Sequence, residues 1–135
     1  MTLPKPRFEP AVVSAAAQHL LEFAVANPNV LLSVLTSDDG FEIASHPADR
    51  AMTARIAAMS SSMQALSEAL TREAGLSKSR SLIIETDTGT VLVFGLAGTS
   101  PQASLAVVAT DSELLGKLLW ASRNLCKMLE TSLRP

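Results

Sequence analysis

The chain of 135 residues carries 11 Lys and Arg against 13 Asp and Glu, a net charge of −2, so it lacks the basic footprint of a nucleic-acid binder. Hydrophobic residues make up 47% but aromatic residues only 4%, so Ala, Leu, Val and Ile must build the core. A single cysteine, Cys126, excludes an internal disulfide and points to a reducing, cytoplasmic setting.

No apolar run reaches the roughly 18 residues of a membrane span, and the opening MTLPKPRFEP, broken by Pro4, Pro6 and Pro10, is not a signal peptide. No membrane insertion is expected. Residues 1–9 read as an extended lead-in and 10–131 as one domain. Pro10 suits a first helical turn, and a helix is predicted to Ala26. Val13, Ala16, Ala17, Leu20, Phe23 and Ala24 form its apolar face, with Ser14, Gln18 and Glu22 opposite. Asn27-Pro28-Asn29 stops it.

Val30 to Thr36 is a continuously apolar strand and Phe41 to His46 its hairpin partner. Asp38-Asp39-Gly40 between them reads as turn chemistry. A calcium loop needs oxygen ligands at alternate positions, and Gly40 and Ala44 break that pattern.

A long helix follows from Asp49 to Ala74, with Gly75 as its C-terminal cap. It carries two stripes. The bulky one, Met52, Ile56, Met59, Met63, Leu66 and Leu70, suits burial against a sheet. The small one, Ala51, Ala54, Ala58, Ser61, Ala65 and Ala69, is centred about 130° around the helix. It is either a contact face for another backbone or the ordinary helix preference of alanine.

Ser81 to Glu85, Thr90 to Leu96 and Ser104 to Ala109 are three further strands, the first two joined by a tight Asp87-Thr88-Gly89 hairpin. Asp111 or Ser112 caps a last helix, which has Glu113 in its first turn and runs to about Glu130. Leu114, Leu115, Leu118, Leu125, Cys126, Met128 and Leu129 form its apolar face. Trp120 falls instead on the polar face, among Lys117, Arg123, Asn124 and Lys127. It is either a binding anchor or a platform beneath the Pro-rich N-terminal segment.

The order α-β-β-α-β-β-β-α, with short hairpins, defines an α/β (α+β) fold: a five-stranded antiparallel sheet with helices on both faces. Chemistry is sparse. His19 and His46 have no metal-ligand spacing with each other or with Cys126, and both read as surface histidines. Ser60-Ser61-Ser62 lacks a nucleophile elbow, and Gly95 and Gly98 are followed by no phosphate-binding lysine. No catalytic residue, metal or cofactor is expected, and the chain reads as a non-enzyme.

The succession SDDGFEIAS, MTARIAAMSSSMQALSEAL, LIIETDTGTVLVFGL and SLAVVATDSELLGKLL resembles the roadblock/dynein light chain family in its bacterial form, over about residues 9–130. The resemblance implies one long helix on one sheet face and the terminal helices on the other, a layout similar to longin and profilin modules. It also implies a homodimer formed by pairing edge strands and packing the long helices. Transferred here, that interface takes Leu82 and Ile84 of the strand and Ala51, Ala54, Ala58, Ser61, Ala65 and Ala69 of the helix. The partner implied is a small Ras-like GTPase, regulated or scaffolded without intrinsic nucleotide hydrolysis. Arg55 and Arg72 are candidates to reach it, or are ordinary solvated charges. Two other readings stand beside this one: a PAS- or profilin-like sensor of a small ligand, and a purely structural subunit.

Overall fold

The computed structural model describes residues 8–99, 102–110 and 115–134. It contains α1 (Pro10–Ala26), β1 (Val30–Ser37), β2 (Glu42–His46), α2 (Arg50–Glu73), β3 (Leu82–Glu85), β4 (Gly89–Gly95), β5 (Ala103–Thr110) and α3 (Leu115–Leu133). The predicted order holds throughout. The five strands form one antiparallel sheet in the order β2-β1-β5-β4-β3. The two hairpins are therefore joined through the central β1–β5 pair, and α2 makes the connection between them. The lead-in over 1–7 and the predicted cap at Asp111, Ser112 and Glu113, with Leu114, lie outside the described residues.

Strand alternation divides the core in two. Leu35, Leu92, Phe94, Leu105 and Val107 point to one face, where Leu20 and Phe23 of α1 and Leu125 and Leu129 of α3 cover them. Leu32 and Val34 point to the other, against Ala57 of α2, with Ile56 and Val108 alongside. The first layer holds the large side chains; the second is thin. α3 extends to Leu133, beyond the predicted end, because that leucine is still buried in the first layer.

The turns follow their residue chemistry. Gly40 has φ +88°, its N–H donates to the Ser37 carbonyl at 3.0 Å, and the Ser37 hydroxyl donates to the Asp39 carboxylate. The Asp38-Asp39-Gly40 stretch is the β1–β2 turn. Gly75 ends α2 in the left-handed region at φ +73°. Leu76 N–H donates to Thr71 at 2.8 Å and Gly75 N–H to Arg72 at 3.0 Å, the paired bonds of a Schellman motif. Gly89 serves differently: a Cβ there would run into the Ala109 carbonyl of β5.

Three expectations about helix faces are corrected. Ala17 is exposed, since it lies about 100° from Ala16 around α1, off the buried Ala16–Leu20–Phe23 line. Met128 on α3 is 44% exposed. Most of the bulky stripe of α2 does not face the sheet: Met52, Met59, Leu66 and Leu70 are 44–70% exposed, while Met63 is half-buried and Ile56 alone packs beside the layer beneath the helix. The residues against the sheet are Thr53, Ala57 and Ser60, all buried. The sheet supplies the bulk of that layer through Leu32 and Val34, so small helix residues let the two backbones approach closely. The Thr53 hydroxyl is satisfied inside the helix by the Asp49 carbonyl at 2.7 Å.

Candidate functional site

α2 thus has three faces about 120° apart by helical geometry. Thr53, Ala57 and Ser60 meet the sheet. The bulky stripe and the small stripe flank them on either side, and both are largely open to solvent. Two hydrogen bonds orient these flanks. Ser61 Oγ donates to the Asp38 carbonyl at 3.0 Å, turning the small stripe toward the β1–β2 turn. Ser67 Oγ donates to Ser79 Oγ at 2.7 Å, in the segment that leads into β3. The bulky stripe is therefore on the β3 side of the helix.

β3 is an edge strand of four residues, paired among the described residues only to β4. Leu82 and Ile84 stand opposite Val93 and Val91, and Val91 in turn pairs with Val108, which packs under α2. Leu82 and Ile84 are thus on the α2 face of the sheet, half-buried. α2 lies over β1, β5, β2 and β4 without packing substantially on β3. The exposed Met52, Met59, Leu66 and Leu70 of α2 and the half-buried Leu82 and Ile84 of β3 thus lie on the same side of the molecule, beside an edge of β3 that is unpaired among the described residues. Exposed apolar side chains with an open strand edge beside them are what one chain presents to another.

The expected interface residues divide in space. Leu82 and Ile84 share the side of α2 that bears the bulky stripe. Ala51, Ala54, Ala58, Ala65 and Ala69 are exposed on the other side, and Ser61 is half-buried there against the turn. Arg55 is exposed between the two stripes, and Arg72 is exposed near the end of the helix. Trp120 lies on α3, across the sheet from all of these, and is 69% exposed. Sequence reading missed Met59, Leu66 and Leu70 as surface residues. The available signal was a third line, Thr53-Ala57-Ser60-Gln64, at the same helical spacing.

Among the described residues no group of three His, Cys, Asp or Glu could hold a metal ion, and no helix is long and apolar enough to cross a membrane. His19 and His46 are half-buried rather than fully exposed. In the serine run, Ser60 is buried and Ser62 bonds back to the Ala58 carbonyl at 3.2 Å. Cys126 is buried, and its thiol is pushed up to about 12, first by burial and then by the nearby Glu130 charge. It is not poised as a nucleophile. A cleft of about 150 Å³ lies between α2 and the ends of β4 and β5, lined in part by Gln64, Glu68, Gln102 and Ser104.

A long helix on one sheet face, two terminal helices on the other and a five-stranded antiparallel sheet between them define a domain of the α+β class. The chain belongs to the Roadblock/LC7 domain family, whose pattern matches residues 16–109. No curated protein is significantly similar in sequence. Among solved structures, Myxococcus xanthus MglB is similar with a TM-score of 0.81 at 13% identity, over 94% of this chain and 92% of that one. A structure described as MglB with a tetrameric arrangement has a TM-score of 0.81 at 20% identity, over 98% and 97%. Acanthamoeba castellanii profilin IA shares the layout at a TM-score of 0.56 and 13% identity, over 85% and 96%.

Proposed function

We propose that this protein is a non-enzymatic, cytoplasmic, dimeric regulator or scaffold of a small Ras-like GTPase. The observation that carries the reading is the exposure of the bulky stripe of α2 on the side of the helix that Leu82 and Ile84 share, with β3 at the edge of the sheet. Two copies related by a twofold axis pair their β3 edges antiparallel and bring their bulky stripes together, each patch meeting its own copy. Family membership supports a protein partner, and a tetrameric arrangement of a similarly folded protein supports self-association.

In this dimer the small stripe and Arg55 stay on the outer surface, where a GTPase docks. The contact orders the GTPase's own switch segments and shifts it toward a conformation it already samples. An arginine inserted at the phosphates is the stronger device, and Arg55, exposed between the stripes, is the residue to test for it, with Arg72 the second. The cleft beside α2, at about 150 Å³, is smaller than the roughly 300 Å³ from which ligand pockets begin, which disfavours that cleft as the site of a sensed ligand.

The test pairs solution mass with nucleotide turnover. Light scattering is expected to give a dimer, and binding to a purified Ras-like GTPase to be tighter with a GTP analogue than with GDP. Faster single-turnover hydrolysis, lost in Arg55→Ala, makes the protein a regulator with an arginine contribution; binding with unchanged hydrolysis makes it a scaffold. A monomer in solution removes the dimer. Indifference to the bound nucleotide removes the GTPase reading and leaves a structural subunit.

A further inference from the structure

The opposite side of the sheet carries a second surface that the α2 reading does not use. α1 and α3 are separated along their outer faces by a groove of about 430 Å³, with Phe23, Ala26, Ala121 and Met128 among its lining. Trp120 stands at its lip, 69% exposed. A tryptophan is a large apolar surface to leave in water, and tryptophans are enriched where a few residues dominate binding.

Among the described residues the charge around it is one-sided. Lys117, Arg123 and Lys127 lie three residues before, three after and seven after Trp120, hence on its face of the helix, and all are exposed. The only acid in α3 is Glu130, which is half-buried. A chain of net charge −2 thus collects cations around its one tryptophan. Among the described residues Glu22 on the α1 wall is the only carboxylate lining the groove.

We propose that the α1–α3 groove docks an acidic segment of a partner protein, which seats a large apolar side chain against Trp120 and aligns carboxylates with Lys117, Arg123 and Lys127. Concavity and charge select this occupant. A groove receives a side chain, whereas a bilayer meets a convex or flat face, and Glu22 repels anionic headgroups from the α1 wall. The cations lie on and beyond the α3 wall, so the partner's acidic residues run along the outer side of α3, away from Glu22. The site is independent of dimerisation and of any GTPase contact, since it uses the sheet face that α2 does not cover.

Trp120 is the only tryptophan and the chain has no tyrosine, so its emission reports the site directly. Random twelve-residue peptides are displayed against the full protein and counter-selected on the K117E/R123E/K127E variant, whose exposed substitutions leave the fold intact. Enriched peptides are expected to be acidic with a Phe, Leu or Trp and to shift Trp120 emission to the blue. The charge reversal is expected to weaken them at least tenfold, as is Trp120→Ala, followed by a labelled peptide with the melting temperature checked in parallel. Failure to enrich, enrichment of neutral or basic peptides, or equal binding to the charge-reversed variant overturns the proposal. So does a blue shift given by phosphatidylglycerol-containing vesicles but not by the selected peptides, which assigns the surface to a membrane.

Discussion

Gln64 of α2 occupies the space that a side chain at Gly95 of β4 would take: a Cβ on residue 95 would stand 2.5 Å from Gln64 Nε2. The same amide donates to Glu68 Oε1 at 3.2 Å. A glycine on the sheet and an amide on the helix thus set how closely the end of β4 and α2 approach. Gly95→Ala is expected to push this flexible amide aside and cost about 1 kcal/mol. In a Gln64→Ala background that cost disappears, a coupling of about 1 kcal/mol in a double-mutant cycle read by urea denaturation. Equal costs in both backgrounds would mean that the two residues do not constrain each other.

Ala57 tests which face of α2 meets the sheet. It is fully buried against Leu32 and Val34, so Ala57→Leu over-packs a thin layer and is expected to destabilise by about 1–3 kcal/mol. An unchanged denaturation midpoint would place some other face of the helix on the sheet.

The two exposed stripes are separable by mass. Leu66→Gln, at a position 69% exposed in the single chain, is expected to shift the dimer toward monomer in sedimentation velocity. Ala65→Gln, one residue away but on the side facing the β1–β2 turn, leaves the mass unchanged. The opposite pattern would move the interface to the small stripe.

Cys126 supplies a pH dependence whose sign follows from burial. Its thiol is pushed from 9.0 to about 12 in the folded chain, so above pH 9 the unfolded state releases a proton that the folded state keeps. This contribution to stability is complete below pH 9 and is lost as the pH rises from 9 toward 12. The slope is at most about 1.4 kcal/mol per pH unit. Cys126→Ala is expected to lower stability at pH 7 by opening a small cavity, and to flatten the decline between pH 9 and 10. In the native wild type, the thiol reacts with an aromatic disulfide reagent only at the rate of unfolding. Fast reaction in native buffer would show it accessible.

The local elements were legible in the sequence because each is set by residues close in the chain. Pro10 and Asn27 bracket α1; Asp49 and Gly75 bracket α2. Gly40 makes the β1–β2 turn by reaching a positive φ, and Asp87-Thr88-Gly89 makes the β3–β4 hairpin. Even Trp120 as an exposed ring among cations followed from its helical position. Periodicity alone also showed that α2 has more than one apolar stripe.

What periodicity did not determine is which line of residues turns inward. Thr53-Ala57-Ser60, the bulky stripe and the small stripe all repeat at helical spacing, and the choice among them depends on the other side of the contact. Leu32 and Val34 of β1 fill that layer from the sheet, so the helix presents its small side chains inward and its leucines and methionines outward. The same long-range packing puts Leu82 and Ile84 beside the bulky stripe and carries Trp120 to the groove formed with α1. Turn and cap chemistry is local, and the sequence by itself determined it. The facing of α2 and the make-up of both candidate surfaces come from close packing between residues far apart in the chain, which only the tertiary structure decided.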